Sequence, residues 1–432
     1  MTGNQLEFID LLISGMGKAN IASAQVYAKK ISTLEIVVNS NYQDTEQQEK
    51  TVIVAEGCFN SYFTRLVLHE YDVSLLKTYI ETLIQTALED KIIYANTIIQ
   101  ESIINRVQLN AFKNSHIEKA LQNIIVQEIN KNLMISRIEI TYTKQTTTIF
   151  IKNINNKKMQ DGCIFQTFKV VVNGQDNSAV VCEYGHDLSN LEGIVLRAIE
   201  KLKMQLNAQS LEAGFYTTVF SGSVIANLLA QYVPLFLADR EESLVEKKGY
   251  LFCDSRISIV DKQNFPQGQY MRVFDDIGVA TMETNVVERG LFCDALQTQK
   301  TAVEFRVQST GNNFYNSTYT QLIALPTNLV VSTGTSELNS ILRKLNMGVY
   351  INEMDIANST FCNQTGDFTM TVSGCMYENK TTGKGILPVT IVSNIYDLLK
   401  NVESIGDLLD FSNCNEYFVA APCLKIKKVA FI

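Results

Sequence analysis

The stretch FDDIGVATMETNVVERGLF, Phe274 to Phe292, sets the reading of the chain. Two acids, Asp275 and Asp276, stand just before Gly278, a combination that marks a turn. Thr281, Thr284 and Val286-Val287 are β-formers and predict a short strand after it. Gly290 then falls where the backbone can take a positive φ. The acid pair has two readings: a turn that fixes where the strand begins, which is favoured, or a pair of ligands for a cation.

Working outward, the second half is strand-rich and punctuated by glycines. It carries one strongly apolar helix, Val224 to Leu237, with Ile225, Leu228, Leu229, Tyr232, Val233 and Phe236 on one face. Two more helices are expected, Ser336 to Leu345 and Asn394 to Leu409, the latter interrupted at Gly406. In the first half, Leu6 to Ile13 reads as a short helix. Ala24 to Val38 and Lys50 to Val67 read as strands joined by a polar turn, Asn39 to Gln48. Asp72 to Leu88 is a helix by its three- and four-residue spacing, and Ile93 to Phe112 is irregular. Ser115 with Glu118 and Ser189 with Glu192 form capping boxes that open two further helices. Ile138, Ile140 and Tyr142 alternate with polar residues, and Asn173 to Asn177 is a hairpin signal. Strands mixed with helices, without regular βαβ alternation, predict an α+β fold. Two domains are expected: 1–206, an α/β-layered N-terminal domain, and 207–432, a strand-rich C-terminal domain with a central helix, with Asn207 to Gly214 as linker.

A chain of 432 residues accommodates two cores, and a net charge of −8 without a dense Lys/Arg cluster argues against direct nucleic-acid binding. The longest apolar run falls short of a membrane span, and MTGNQLEFID has neither a basic n-region nor an apolar h-region. Nine scattered cysteines, odd in number and without a CxxC pair, read as reduced thiols, and a cytoplasmic location is expected.

Phe274 to Phe292 resembles a passage of the TldD/PmbA (TldE) family, "DDEG-x-P-T…T-x-L-x-E-x-G-x-L". Further words follow in order. Gly214 to Val219 resembles "G-x-Y-x-V" before the family's central helix. Ser309-Thr310-Gly311-Asn312 resembles "S-T-G-N", and Pro326 to Leu329, containing Asn328, resembles "P-x-x-x-N-L". Gly366-Asp367-Phe368 resembles "T-G-D-F", and Ala421-Pro422 the terminal strand. Several ordered words are far more specific than any one of them. The family has a TldD branch, a metallopeptidase with H-E-x-x-x-H on the central helix, and a TldE/PmbA branch that lacks the motif.

Here the central helix reads ANLLAQYVPLF, which places Ala230 and Gln231 in the first two slots and Leu235 in the last. Ala and Leu have no donor atom, and Gln is a neutral amide. A slip in alignment changes nothing, because no His, Cys or Glu lies between Phe215 and Asp239. Cys414, in SNCNEY, lacks the C-G-K context of the TldD cysteine. Of the three histidines, His69-Glu70 has no second histidine at the right interval, His116 reads as a helix-start residue, and His186 with Glu183 makes too few ligands for a site.

The resemblance therefore implies a TldE/PmbA-type, non-catalytic subunit of a TldD/TldE metallopeptidase that degrades or trims unfolded proteins and peptide precursors. The family is also named a modulator of DNA gyrase, an effect expected to be indirect. No cofactor is expected in this chain, with zinc only in a TldD-type partner. Whether the chain alone is an enzyme stays open, with inactivity expected. The implied partners are a TldD-like chain or a second copy, and extended peptides. The rival readings are a stand-alone homodimeric peptide binder and a hydrolase with an unrecognised site.

Overall fold

The computed structural model describes every residue except 40, 91–116, 133, 176–179, 186–190, 379–380 and 413–416. The irregular stretch Ile93 to Phe112 and the residues Ser115, His116, His186, Ser189 and Cys414 lie outside the described residues. The fold is α+β.

The chain opens with helix α1 (Gly3–Lys18), twice the length read from its apolar residues, because Thr2 and Gln5 close a capping box ahead of it. Strands β1 (Ala22–Asn39), β2 (Gln43–Phe59) and β3 (Tyr62–Leu68) follow, then helices α2 (Leu76–Asp90) and α3 (Ile117–Lys131). Strands β4 (Ile135–Asn153), β5 (Lys158–Gly174) and β6 (Val180–Gly185) and helix α4 (Leu191–Leu206) complete the first half. The six strands form one antiparallel sheet in the order β3-β2-β1-β4-β5-β6.

The structure differs from the sequence pattern at two places in this region. Lys50 to Val67 is not one strand: Asn60 and Ser61 both take positive φ and reverse the chain between β2 and β3. Nor is Asn39 to Gln48 all turn. Pairing runs from Val38 with Gln43 to Thr33 with Gln48, so these polar residues are a strand. They look like a turn because this part of β2 is exposed on both faces.

Strand alternation divides the sheet's faces. Val26, Ala28, Ile53 and Phe150 meet α1 and α2, while Ile36, Val38, Ile138, Tyr142 and Phe168 meet α3 and α4. The opposite face presents Tyr27, Val52, Val54, Ile149, Ile151 and Met159. These pack on Phe274, Tyr315 and Tyr319 of the second half.

The second half begins with β7 (Gly214–Phe220) and helix α5 (Gly222–Gln231). Short elements follow: β8 (Ile259–Asp261), β9 (Thr284–Glu288), β10 (Leu291–Phe292), α6 (Gln299–Phe305), β11 (Asn313–Tyr315), β12 (Leu322–Ala324), β13 (Leu329–Val331) and α7 (Leu338–Leu342). Long hairpins close the chain: β14 (Met347–Phe361), β15 (Asp367–Glu378), β16 (Thr381–Asn394), α8 (Ile395–Lys400), β17 (Val402–Phe411) and β18 (Val419–Phe431). In the ten-stranded sheet, β18 pairs with both β16 and β7. A ring β7-β14-β15-β16-β18 therefore closes, and β13, β8, β9 and β10 extend from β18. The segment read as a linker is tied to the ring, with Gln209 bridging Ile386.

Three helices of this half are shorter than their sequence patterns imply. Asn394 to Leu409 is a six-residue helix capped by Asn394, after which Val402 onward pairs with β18 as strand. Ser336 to Leu345 shortens to α7. The helix expected over Val224 to Leu237 stops at Gln231, and a 3-10 turn, Val233–Phe236, with Pro234 in it, takes over.

Gly290 (φ +81) and Gly311 (φ +72) hold corners that L side chains rarely adopt, and a Cβ on Gly311 would run into the carbonyl of Ala280. We expect Gly311→Ala to cost roughly 3 kcal/mol in urea unfolding. Gly249→Ala, also at positive φ (+85) but facing open space, should cost about 1 kcal/mol. Equal costs would mean that close packing on Ala280 contributes nothing.

Candidate functional site

The central helix is built for burial. Ser221 caps it through its hydroxyl, which accepts from Val224 N at 3.3 Å. Glycine at 222 lets the first turn approach the Ala421 carbonyl of β18. Among α5 residues only Ser223 and Gln231 are not fully buried, the pattern of a helix inside a core and not on a surface. Ala230 and Leu235 are each 1% exposed. Gln231 Nε2 donates to Asn227 O at 3.5 Å. Tyr232 ends the helix, and its hydroxyl donates toward Gly366 O (3.1 Å) and Asp367 O (3.0 Å), tying the break to the Gly366-Asp367-Phe368 turn.

The metal that the sequence resemblance implies does not fit these residues. Two of the three slots carry hydrocarbon, the third a hydrogen-bonded amide, and the helix breaks before the last. Among the described residues no cluster of three or more His, Cys, Asp or Glu side chains could hold a metal ion. His69 sits in the bend after β3, away from any such group.

The other sequence-marked residues converge on one buried polar layer. Asp275 Oδ1 accepts from Ile277 N (3.1 Å) and Val279 N (2.9 Å), and Oδ2 from Asn313 N (3.1 Å). Gly278, at φ +87, lets the turn close on its own aspartate. Asp276 Oδ1 takes Arg272 Nη2 at 2.7 Å, and Oδ2 takes Tyr315 N at 2.8 Å. The turn thus dictates where β11 lies. Burial pushes the Asp275 carboxyl up to about 7, against its backbone N–H bonds and with the neighbouring Asp276 charge adding to the rise. Arg272 is buried too, yet Asp276 keeps its guanidinium above the usual range, and it stacks 5.1 Å from the Phe314 ring.

A second aspartate, Asp261, does for the next words what Asp275 does for β11. Its Oδ1 accepts from Thr327 N, Thr327 Oγ1 and Asn328 N, all at 2.8 Å, and its Oδ2 from Asn312 Nδ2 at 2.9 Å. Thr310 Oγ1 donates to Asn312 Oδ1 at 2.6 Å. Asn328 bridges Lys262 O and Tyr270 O through Nδ2, 2.9 Å each. Asp367 Oδ1 accepts from Asn394 Nδ2 at 2.9 Å, and Phe368 is core. The structure therefore brings Asp275, Asp276, Gly278, Gly311, Asn312 and Asn328 together. Gly290 lies at the β9–β10 corner. Gly366, Asp367 and Phe368 lie by the central helix.

Sequence reasoning missed Asp261, Arg272 and Asp161. Asp161 Oδ2, on β5, accepts from Val273 N at 2.9 Å and so joins the turn to the first sheet. No local pattern marks these residues, because their partners are more than fifty residues away or, for Arg272, on a turn whose geometry only the fold supplies. Chemically the layer offers no solvent-facing nucleophile or acid–base pair. Its carboxylates organise backbone.

Residues 213–432 match the PmbA/TldA metallopeptidase C-terminal domain. Over 214 residues the chain is 22% identical to a metalloprotease PmbA homolog of Haemophilus influenzae. The match takes in 48% of this chain and 45% of the relative, so it spans about half the length of that curated protein. Among solved structures the chain is similar to TldE of Thermococcus kodakarensis, with TM-score 0.82, 17% identity, and 98% and 99% of the two chains covered. It is also similar to a candidate modulator of DNA gyrase from Thermotoga maritima, with TM-score 0.81, 18% identity and 99% of each chain covered. These likenesses establish the fold over the full length.

We expect the triple variant Ala230→His, Gln231→Glu, Leu235→His to hold no stoichiometric zinc by elemental analysis. Leu235→His alone should lower stability by roughly 2–5 kcal/mol, since a core side chain is replaced by a polar ring. One tightly held zinc per triple-variant chain, with an unchanged melting temperature, would contradict this.

Proposed function

This chain belongs to the PmbA/TldD metallopeptidase family, and we propose that it acts there as a TldE/PmbA-type subunit, without metal chemistry of its own, alongside a catalytic TldD-type chain. The observation that supports this most is the central helix. Where the active branch carries its ligands, this chain has Ala230, Gln231 and, past a break at Pro234, Leu235. A side chain without a donor atom cannot bind zinc or polarise water.

In this reading the pair degrades or trims unfolded proteins and peptide precursors in the cytoplasm, and joins through the strand-rich second half. Extended substrates suit a molecule with strand edges, because an edge offers unpaired N–H and C=O groups to a peptide backbone. The gyrase-modulator description of a structural relative is read as an indirect consequence of proteolysis, in keeping with a net charge of −8.

The test is affinity purification of the tagged chain from its native host, followed by identification of what comes with it and peptidase assays with and without zinc. We expect a TldD-type chain in equal amount, cleavage of an unfolded peptide by the pair, and none by the pure chain. Cleavage by the pure chain would establish a hydrolase with its own site. Recovery of the chain only with itself would establish a stand-alone homodimer.

A further inference from the structure

The hairpin of β1 and β2 reaches past its neighbour β3. β3 pairs with β2 only from Ile53 to Phe59, whereas β2 goes on pairing with β1 back to Gln43. From Gln43 to Val52 no strand among the described residues lies on the outer side of β2, and residues 41–50 are exposed. The hairpin turns fix which backbone groups face outward. Asn39 N donates to Tyr42 O at 3.0 Å, so Val37 and Asp44, two pairs further on, also bond each other. Alternation then sends the N–H and C=O groups of Gln43, Thr45, Gln47, Glu49 and Thr51 outward. Thr45 N accordingly meets Asp44 Oδ1, at 2.9 Å, and not a β1 carbonyl. The Asn60-Ser61 turn agrees, because pairing of Phe59 with Tyr62 turns the same odd-numbered set of β2 toward β3.

A strand edge of this length is a template for another strand. Its charges select which one. Lys50 is the only cation between Gln43 and Val52 and has no ion pair among the described residues, while Glu49 is held by Lys30 at 3.0 Å. When two copies of the edge pair antiparallel, outward residues must meet outward residues, so a two-fold axis falls on a residue and not between residues. An axis on Glu46 or Glu49 sets identical carboxylates opposite each other, which repel. An axis on Gln48 leaves Gln43 unpaired. An axis on Gln47 uses the whole edge from Gln43 to Thr51 and sets Asp44 opposite Lys50 on both sides. That pairing is of the non-hydrogen-bonded kind, in which opposed side chains stand closest.

We propose that the β2 edge from Gln43 to Thr51 is an interface between two copies of this chain, joined by antiparallel strand addition about a two-fold axis at Gln47. The contact is isologous and makes the two six-stranded sheets continuous. It buries little apolar surface, which places it among weak associations. It lies in the first half of the chain and does not rest on the joining of a TldD-type chain through the second half.

The test is sedimentation of the pure chain between about 1 μM and about 1 mM, the range of weak association. Wild type is compared with Lys50→Glu, Asp44→Lys, the double variant and Gln47→Pro, each confirmed folded by thermal melting. The altered side chains are exposed, and proline at 47 removes an N–H that points away from β1, so the fold tolerates the changes. Wild type should dimerise as concentration rises. Each single charge reversal should weaken the dimer about tenfold, since it turns two attractions into repulsions. Gln47→Pro should abolish the dimer, and the double variant, which exchanges the two charges, should restore wild-type affinity. A wild type that stays monomeric, a dimer that both single reversals leave unchanged, or a double variant no tighter than the singles overturns the proposal. A dimer that persists in Gln47→Pro lies elsewhere on the chain and overturns it too, without bearing on the TldD-type partnership.

Discussion

Two adjacent carboxylates buried where the halves of the molecule meet constrain the rest of this structure. Taking an ionised carboxylate out of water is costly by several kcal/mol unless its oxygens are matched by donors. Asp275 and Asp276 meet that condition only in one backbone arrangement: the turn closed at Gly278, β11 alongside, and Arg272 folded back over Phe314. Val273 N, donating to Asp161, anchors the same turn to the first sheet. Around this polar seam Tyr27, Ile149, Ile151, Phe274, Tyr315 and Tyr319 bury one another. The apolar contact supplies the larger favourable term, while the carboxylates limit how the surfaces can register.

The central helix shows the opposite chemistry. It packs against β14, β17 and β18, and its buried apolar residues share one cluster with Phe220, Val349, Met370 and Phe431. Ala230 and Leu235, each 1% exposed, serve packing here. The break at Tyr232 to Pro234 moves Leu235 off the α-helical path, so restoring ligand types at these positions does not restore their geometry. A site also needs oriented supporting groups, and the cluster in which the buried side chains of α5 sit is apolar.

Much of this was legible in the sequence where the cue is local. Asp275-Asp276 with Gly278 announced a turn, and Gly290 a corner at positive φ. The mixture of strand and helix patterns announced an α+β fold, and Val224 onward an apolar helix. Cues failed where tertiary pairing overrides local pattern. Val402 to Leu409 carries enough Leu and Ile to mimic a helix, yet β18 offers it a strand partner. Asn60-Ser61 breaks a strand that its apolar run seemed to continue. The polar layer was the least legible part: Asp261 and Asp161 look like ordinary acids until the fold brings Asn312, Thr327 and Val273 to them.

Native-state hydrogen exchange at the amides of Ile277, Val279, Asn313 and Tyr315, the four backbone donors to the Asp275 and Asp276 carboxylates, reads the strength of the seam most directly. If these carboxylates hold the seam together, the four amides exchange only through global unfolding, as slowly as the interior strands of both sheets. Fast exchange of these four while the strands of both sheets stay protected would show that the turn opens on its own, and that the halves are held by apolar contact without it.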